Sequence, residues 1–212
     1  MLNIPMFSTQ TGVASLTLDQ IPYNKRAYIR IQDTSDPGSF INECEAFCKV
    51  AGAEEIYATG HSYLEGFPFY TAINVMRCPT GTLRNDACCL FPVTDETAEQ
   101  WRCIYNTRMS GVPNAAYFTK KDLNMILRNG TGYFVHQDGK LLGIGVAEAG
   151  RIDAVIATSK GAGYRVLCTL AGVLTEDTAE VDVASANIPA VRLYERAGFI
   201  AVKELSRWYK IF

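Results

Sequence analysis

One junction constrains this chain more than any other stretch of it. An apolar run with strand character, Ile152 to Ala157, leads through Ser159-Lys160-Gly161-Ala162-Gly163-Tyr164 into a segment of helical period. From Gly163 to Leu174 the residues Val166, Leu167, Leu170, Ala171 and Leu174 share one helical face. A strand-like run, Val181 to Ala184, and a helical run, Ile188 to Ala197, come next, and Ile200 to Phe212 supplies one or two closing strands. Strands and helices in this succession bury each other's apolar faces, which defines an α/β or α+β chain with helices laid on a sheet. Glycines at such a junction let the backbone turn its N–H groups outward and admit a phosphate closely. The helix N-terminus adds about 0.3–1 kcal/mol toward an anion when exposed. The segment is neither the Gly-x-Gly-x-x-Gly of dinucleotide folds nor a P-loop, and taken alone it also fits a plain turn.

The stretch ahead of this junction extends the pattern. Leu90 to Val93 reads as a strand, and Thr94 or Asp95 caps a helix with Trp101, Ile104, Tyr105 and Arg108 on one face. Thr119 with Asp122 predicts a capping box on a helix that carries Leu123, Ile126 and Leu127 and ends at Gly130. Tyr133 to His136, the turn Asp138-Gly139 and Leu141 to Ala147 form a hairpin. The second half is therefore β-α-α-β-β-β-α-β-α-β-β. Arg77 to Asp86 is turn-rich and weakly apolar, and it sets the expected domain border, residues 1–84 against 85–212. Within the first part, Ala27 to Ile31 alternates as a strand. Asp36-Pro37 opens a helix with Phe40, Cys44 and Phe47 inward and Gly52 at its close, and Glu55 to Ala58 and Phe69 to Val75 are strands.

After the strand at Ala184 comes Asn187-Ile188-Pro189-Ala190-Val191-Arg192-Leu193-Tyr194-Glu195-Arg196-Ala197-Gly198-Phe199. The pattern Asn-x-x-Ala-x-x-Leu-Tyr-x-x-x-Gly-Phe resembles the second conserved block of the GNAT (GCN5-related) N-acetyltransferases, and the Gly161 and Gly163 segment resembles the pyrophosphate loop of that family's first block. Both stand in the family's order, and the resemblance covers about residues 88–212. It implies the acyl-CoA N-acyltransferase fold, a mixed and mostly antiparallel sheet flanked by helices, with a small N-terminal αβ domain added. It also implies acetyl-CoA as cosubstrate, held by Val155, Ile156, Ala157, Lys160, Gly161, Ala162, Gly163, Tyr164, Asn187, Ala190 and Tyr194. One departure is plain: Thr158 stands where the family loop usually starts with Gln or Arg.

Transfer of an acyl group to an amine needs a neutral nucleophile, a polarised thioester carbonyl and a proton for the departing thiolate. By similarity to the family, Tyr194 supplies the proton: a phenol with pKa about 10 is protonated at neutral pH and can serve a thiolate of pKa about 8.5. The resemblance puts a backbone N–H near Val155 or Ile156 on the carbonyl oxygen. The base that frees an alkyl amine is open between Glu148 and Asp153, two acids at strand ends that also read as plain solvated carboxylates. Met109, Tyr117, Phe118 and Trp208 are candidates for the acceptor pocket, and each also reads as core. Cys168, inside a patterned helix with no adjacent histidine, is not expected to carry an acyl group.

Composition excludes other classes. Twenty Lys and Arg against twenty-two Asp and Glu give a net charge of -2 with no basic run, so no nucleic-acid partner is expected. The start, Met1-Leu2-Asn3-Ile4-Pro5, lacks a leader pattern, no apolar run reaches membrane length, and seven cysteines without paired metal spacing fit reduced thiols in a cytoplasmic protein. His61 and His136 sit in no metal-ligand spacing, so no metal is expected. The expected protein transfers acetyl or another short acyl group to an unidentified amine as a monomer or homodimer. The alternatives are a catalytically silent acyl-CoA-binding module and a pure interaction protein. The first 84 residues carry no glycine loop and no Asn-x-x-Ala-x-x-Leu-Tyr block; they could be a degenerate partial copy of the same fold, and their thin core is expected to lean on the second domain, covering the acceptor site or extending the sheet.

Overall fold

A computed structural model describes residues 5–83 and 88–212. The residues divide into two compact units, one up to Ile73 with Glu204–Phe212 added, the other Asn74–Lys203. The expected border between residues 84 and 85 and the reading of residues 1–4 lie outside the described residues. The segment ahead of that border is not a linker, because Arg77, Cys78 and Pro79 continue a strand, and Cys78 and Leu83 are buried.

In the first unit the strands run in the order β1-β2-β3-β4-β11. They are β1 (Met6–Ser8), β2 (Gly12–Thr17), β3 (Arg26–Thr34), β4 (Glu55–Thr59) and the end of β11 (Ile200–Lys210). A short helix, α1 (Ile21–Asn24), joins β2 to β3, and α2 (Pro37–Val50) crosses from β3 to its parallel neighbour β4. The first two strands and α1 carry no strong sequence period and were not expected. Helix α2 forms where its sequence dictates. Asp36 accepts a hydrogen bond from the Ser39 N–H at 3.1 Å, and Pro37 occupies a first-turn position where no N–H is required. Phe40, Ile41, Cys44 and Cys48 face the core with Leu16, Ile29, Ile56 and Leu64. Phe47, expected inward, is 43% exposed, because Cys44 and Cys48 sit four residues apart on the buried face and Phe47 falls beside it. Each fully buried Leu or Ile here contributes roughly 1.5–3 kcal/mol by leaving water.

The second unit holds the end of β5 (Phe69–Pro79), then β6 (Cys89–Pro92), α3 (Ala98–Met109), α4 (Lys120–Asn129), β7 (Gly132–Gln137), β8 (Lys140–Glu148), β9 (Arg151–Ala157), α5 (Gly163–Ala171), β10 (Thr178–Ala184) and α6 (Ile188–Arg196). Its strand order is β5-β10-β9-β8-β7-β6. Pairing is antiparallel from β6 to β9 and parallel between β9 and β10. Two cores lie on the two faces of this sheet: Val135, Val166, Leu167, Leu170 and Phe199 with α5 and α6, and Trp101, Leu123, Ile126, Phe134 and Ile144 with α3 and α4. The α5 side packs closely because Gly143 and Gly145 have no side chain; a Cβ on either would overlap Val166 or Leu170.

This is the mixed sheet with flanking helices that the sequence predicts. The Thr119–Asp122 capping box is present, and Asp138 and Gly139 both take positive φ in the hairpin turn. Two details differ. Helix α3 starts at Ala98, because the Thr97 hydroxyl bonds the Thr94 N–H at 3.0 Å and closes a separate turn first. Helix α5 stops at Ala171, where Gly172 begins a turn, and leaves Leu174 outside. The closing segment is one strand, β11. All seven cysteines are free, and Cys103 is exposed on α3.

Candidate acyl-CoA cleft

At the end of β9 the chain leaves the sheet through Thr158, whose N–H bonds the Leu142 carbonyl at 2.9 Å and whose hydroxyl bonds the Leu141 carbonyl at 2.8 Å. The Thr158 side chain is thus engaged by β8. Gly161 takes φ +81°, a conformation that side-chain-bearing residues avoid, and turns the chain into α5. Ala162 is the helix N-cap and is wholly buried, and no side chain caps the first turn. The helix start at Gly163 thus carries no side-chain cap, and the helix dipole favours an anion there.

Beside this turn, two strands come apart. β10 pairs with β9 at Glu180 and Arg151 alone. Arg151 holds Glu180 by an ion pair, Asp182 at 2.9 Å and Asp153 at 3.3 Å, and Arg77 adds a contact to Glu180 at 2.7 Å. Past this pin, β9 is paired with β8 only, in the register Ile156↔Ile144 and Val155↔Gly145. Since the Thr158 N–H points to β8, the Ile156 N–H does too, and period-two alternation turns the N–H groups of Val155 and Ala157 to the other edge.

The third wall is α6. Asn187 caps it through the Ala190 N–H at 3.4 Å, and Pro189 lies in its first turn. Tyr194 is 7% exposed and packs on Phe199 with ring centroids 5.5 Å apart. Burial disfavours the phenolate and pushes its pKa up to about 12, so the phenol stays protonated.

The walls enclose a cleft of about 560 Å³ that brings together Val155, Ile156, Ala157, Gly161, Gly163, Tyr164, Asn187, Ala190 and Tyr194. Lys160, exposed on the turn, and Ala162, buried beneath it, do not line it. Glu148 and Asp153 are exposed and line a separate cavity of about 500 Å³ with Arg77, Arg151, Glu176 and Glu180. Of the acceptor-pocket candidates, Met109 reaches the cleft. Phe118 packs on Tyr105 at 4.7 Å, the Tyr117 hydroxyl accepts from Arg102 at 3.3 Å, and Trp208 lies against Tyr28 at 5.6 Å in the first unit.

Sequence reasoning missed the charge of the cleft. Arg108, Arg192 and Arg196 line it, and among the described residues no acidic one does. Arg108 donates to the Thr158 carbonyl at 2.6 Å, and Arg196 lies over the Tyr164 ring at 5.3 Å. The signal was present: Arg192 and Arg196 are four apart on α6 and bracket Tyr194. Among the described residues no group of three or more His, Cys, Asp or Glu side chains is set to hold a metal, and no helix is long and apolar enough to cross a membrane.

No protein-family model and no curated protein matches the sequence. Solved structures do match. A functionally unknown conserved protein from Staphylococcus epidermidis superposes with TM-score 0.61 at 10% identity, over 99% of this chain and 94% of that one. A GCN5-related N-acetyltransferase from Sphaerobacter thermophilus gives 0.61 at 13% identity, over 93% of this chain and 75% of that one. A GNAT-family acetyltransferase from Colwellia psychrerythraea gives 0.53 at 13% identity, over 97% and 84%. What is shared at such identities is architecture, and the fold of this chain is that of the GCN5-related N-acetyltransferases.

Proposed function

We propose that the chain is an N-acyltransferase that moves acetyl, or another short acyl group, from acyl-CoA to a primary amine by direct attack in a ternary complex. The observation that carries this reading is a protonated phenol, Tyr194, in one cleft with an uncapped helix N-terminus and a strand edge freed of its partner. A molecule that merely binds CoA has no need of a buried acid. The cationic walls suit a substrate with several phosphates. The uncapped turn of α5 would take the pyrophosphate, with Arg192 and Arg196 available to the remaining charge. The free edge of β9 would pair with the pantetheine amides as a short added strand.

In the reaction the amine attacks the thioester carbon, and the negative charge that forms on oxygen is met by the N–H of Val155 or Ala157. As the carbon–sulfur bond breaks, Tyr194 gives its proton to the leaving thiolate, and the proton that the cationic nitrogen of the tetrahedral intermediate sheds restores the phenol by way of solvent. The amine must first lose its own proton, since an alkyl ammonium has pKa near 10.4. That step stays open between Asp153 and Glu148 acting through water, since neither lines the cleft.

One observation favours the alternative of a silent acyl-CoA-binding module: both carboxylates line another cavity, and among the described residues no acid lines the cleft. Calorimetric titration with acetyl-CoA and desulfo-CoA, using Gly163→Trp as the blocked control, separates the readings when followed by an amine-library assay. Saturable binding with turnover supports the transferase; saturable binding without turnover of any amine supports the silent module. Absence of binding removes both and leaves an interaction protein.

A further inference from the structure

The β6–β7 hairpin edge of the second unit carries a second cavity, about 620 Å³, that shares no residue with the cleft. The register Cys89↔His136 and Phe91↔Phe134 sets these four side chains on one face, while Leu90 and Val135 between them pack into the α5 core. The four line the cavity together with Pro92 and Leu141.

Two local demands are left unmet. Phe91 is 51% exposed, a large apolar ring on an edge strand. His136 lies between the rings of Phe91, at 5.3 Å and 83°, and Phe134, at 6.3 Å, and its Nδ1 is shielded from water with no hydrogen-bond partner. Folded proteins pair nearly all such atoms, so an orphan beside a cavity points to a group from outside the chain. The χ2 torsion of histidine is broad and roughly two-fold, so a half-turn of the ring can exchange the places of Nδ1 and Cδ2.

We propose that this cavity binds a small, neutral aromatic alcohol. Its size is that of a small-molecule site. The flat body would cover Phe91 and meet the rings of Phe134 and His136 by their faces and edges. A hydroxyl both donates and accepts, and so satisfies the imidazole in either neutral tautomer. Asp138 on the cavity wall disfavours a carboxylate in its place.

The test uses the full-length chain with 1-naphthol and, as the partner lacking the hydroxyl, naphthalene. Binding is followed by ligand-observed NMR, and alkylation of Cys89 by iodoacetamide is followed by mass spectrometry. Cys103, also exposed but outside the cavity, is the internal control. The expected result is saturable binding with 1-naphthol roughly tenfold tighter than naphthalene, the worth of one hydrogen bond. Occupancy slows alkylation at Cys89 and not at Cys103, and His136→Phe removes the tenfold margin while leaving naphthalene binding as it was. The proposal is overturned by no saturable binding, by binding that leaves Cys89 unprotected, or by a margin that survives in His136→Phe. Should that variant not fold, protection of Cys89 in the natural chain decides alone.

Discussion

Each unit contains a parallel strand pair joined by a helix, β3-α2-β4 in the first and β9-α5-β10 in the second, and each pair is pinned by an arginine and a glutamate. Arg26 meets Glu55 at 2.7 Å; Arg151 meets Glu180. From this common start they diverge. β3 and β4 stay paired through five positions to Arg30 and Thr59, whereas β9 and β10 pair at the pin and then part. The first turn of α2 is filled by the Asp36 carboxylate and Pro37, whereas that of α5 follows a glycine turn with no side-chain cap. Past the second strand, the first unit has a 3-10 turn at Ser62–Gly66 where the second has α6 and Tyr194. Topology alone therefore makes no anion site. Capping and register, set by a handful of residues, decide whether such a crossover is closed or open.

The largest effect should come from the group that one crossover has and the other lacks. Tyr194→Phe should lower turnover about 100- to 10,000-fold, the usual cost of losing a positioned acid, with acetyl-CoA affinity held within about twofold. Because burial keeps the phenol protonated through neutral and mildly basic pH, the ratio of the two rates should stay flat from about pH 6 to 10. A variant as fast as the parent would mean that water supplies the proton. Next is the turn itself. Gly161→Val puts a β-branched side chain at φ +81°, a conformation that costs an L-residue roughly 1–2 kcal/mol. Relief of that strain moves the N–H groups ahead of α5, and acetyl-CoA affinity measured by calorimetry should fall by roughly tenfold. Unchanged affinity would show that the turn takes no part in binding.

The two pins offer a paired test of smaller size. Glu180→Gln loosens the point from which β9 and β10 part, and it should weaken acetyl-CoA binding by roughly two- to fivefold. Glu55→Gln should leave that affinity alone and act on stability. The Arg26 guanidinium, and after it the Lys210 ammonium at 3.0 Å, holds the Glu55 carboxyl at about 2. A depressed carboxyl stabilises the fold fully above its unfolded value, about 4.3, and the contribution is lost as pH falls toward 2. The gap in unfolding midpoint between parent and Glu55→Gln should thus be constant above about pH 5 and close by about pH 2. A gap that widens in acid would mean that Glu55 stabilises by packing.

Much of this was legible in the sequence, and for physical reasons. Helix α2 announced itself by Asp36-Pro37, α4 by Thr119 and Asp122, and the β7–β8 hairpin by Asp138-Gly139, because each is a local rule whose cause and effect lie within a few residues. The gathering of Tyr194 with Gly161 and Val155 was legible only through the pattern from Asn187 to Phe199, since no local rule reports on a strand pair that separates. The cationic character of the cleft was not read, as Arg108 comes from α3, far along the chain from Arg192 and Arg196. The setting of the acids was not legible either: Glu148 and Asp153 are near Val155 in sequence, but Arg151 gathers Asp153 with Glu180 and Asp182 into an ion-pair group beside another cavity.

The smallest effect tests whether capping alone separates the two crossovers. Asp36→Ala removes the acceptor from the Ser39 N–H and opens the first turn of α2, as α5 is open. If an uncapped helix start sufficed for an anion site, the variant would gain affinity for CoA on the first unit. We expect none, because Pro37 withholds one N–H and the paired β3–β4 edge leaves no room for a ligand between the strands. What should change is stability, by a few degrees in the unfolding midpoint, the usual effect of a lost N-cap in a chain of this size. Hydrogen bonds from Ser39 hold the Asp36 carboxyl below its ordinary value, so the loss should be seen in full above about pH 4 and shrink as acid protonates the parent. A second CoA equivalent bound by Asp36→Ala would place the whole difference between the units in the cap and give strand separation no part in it.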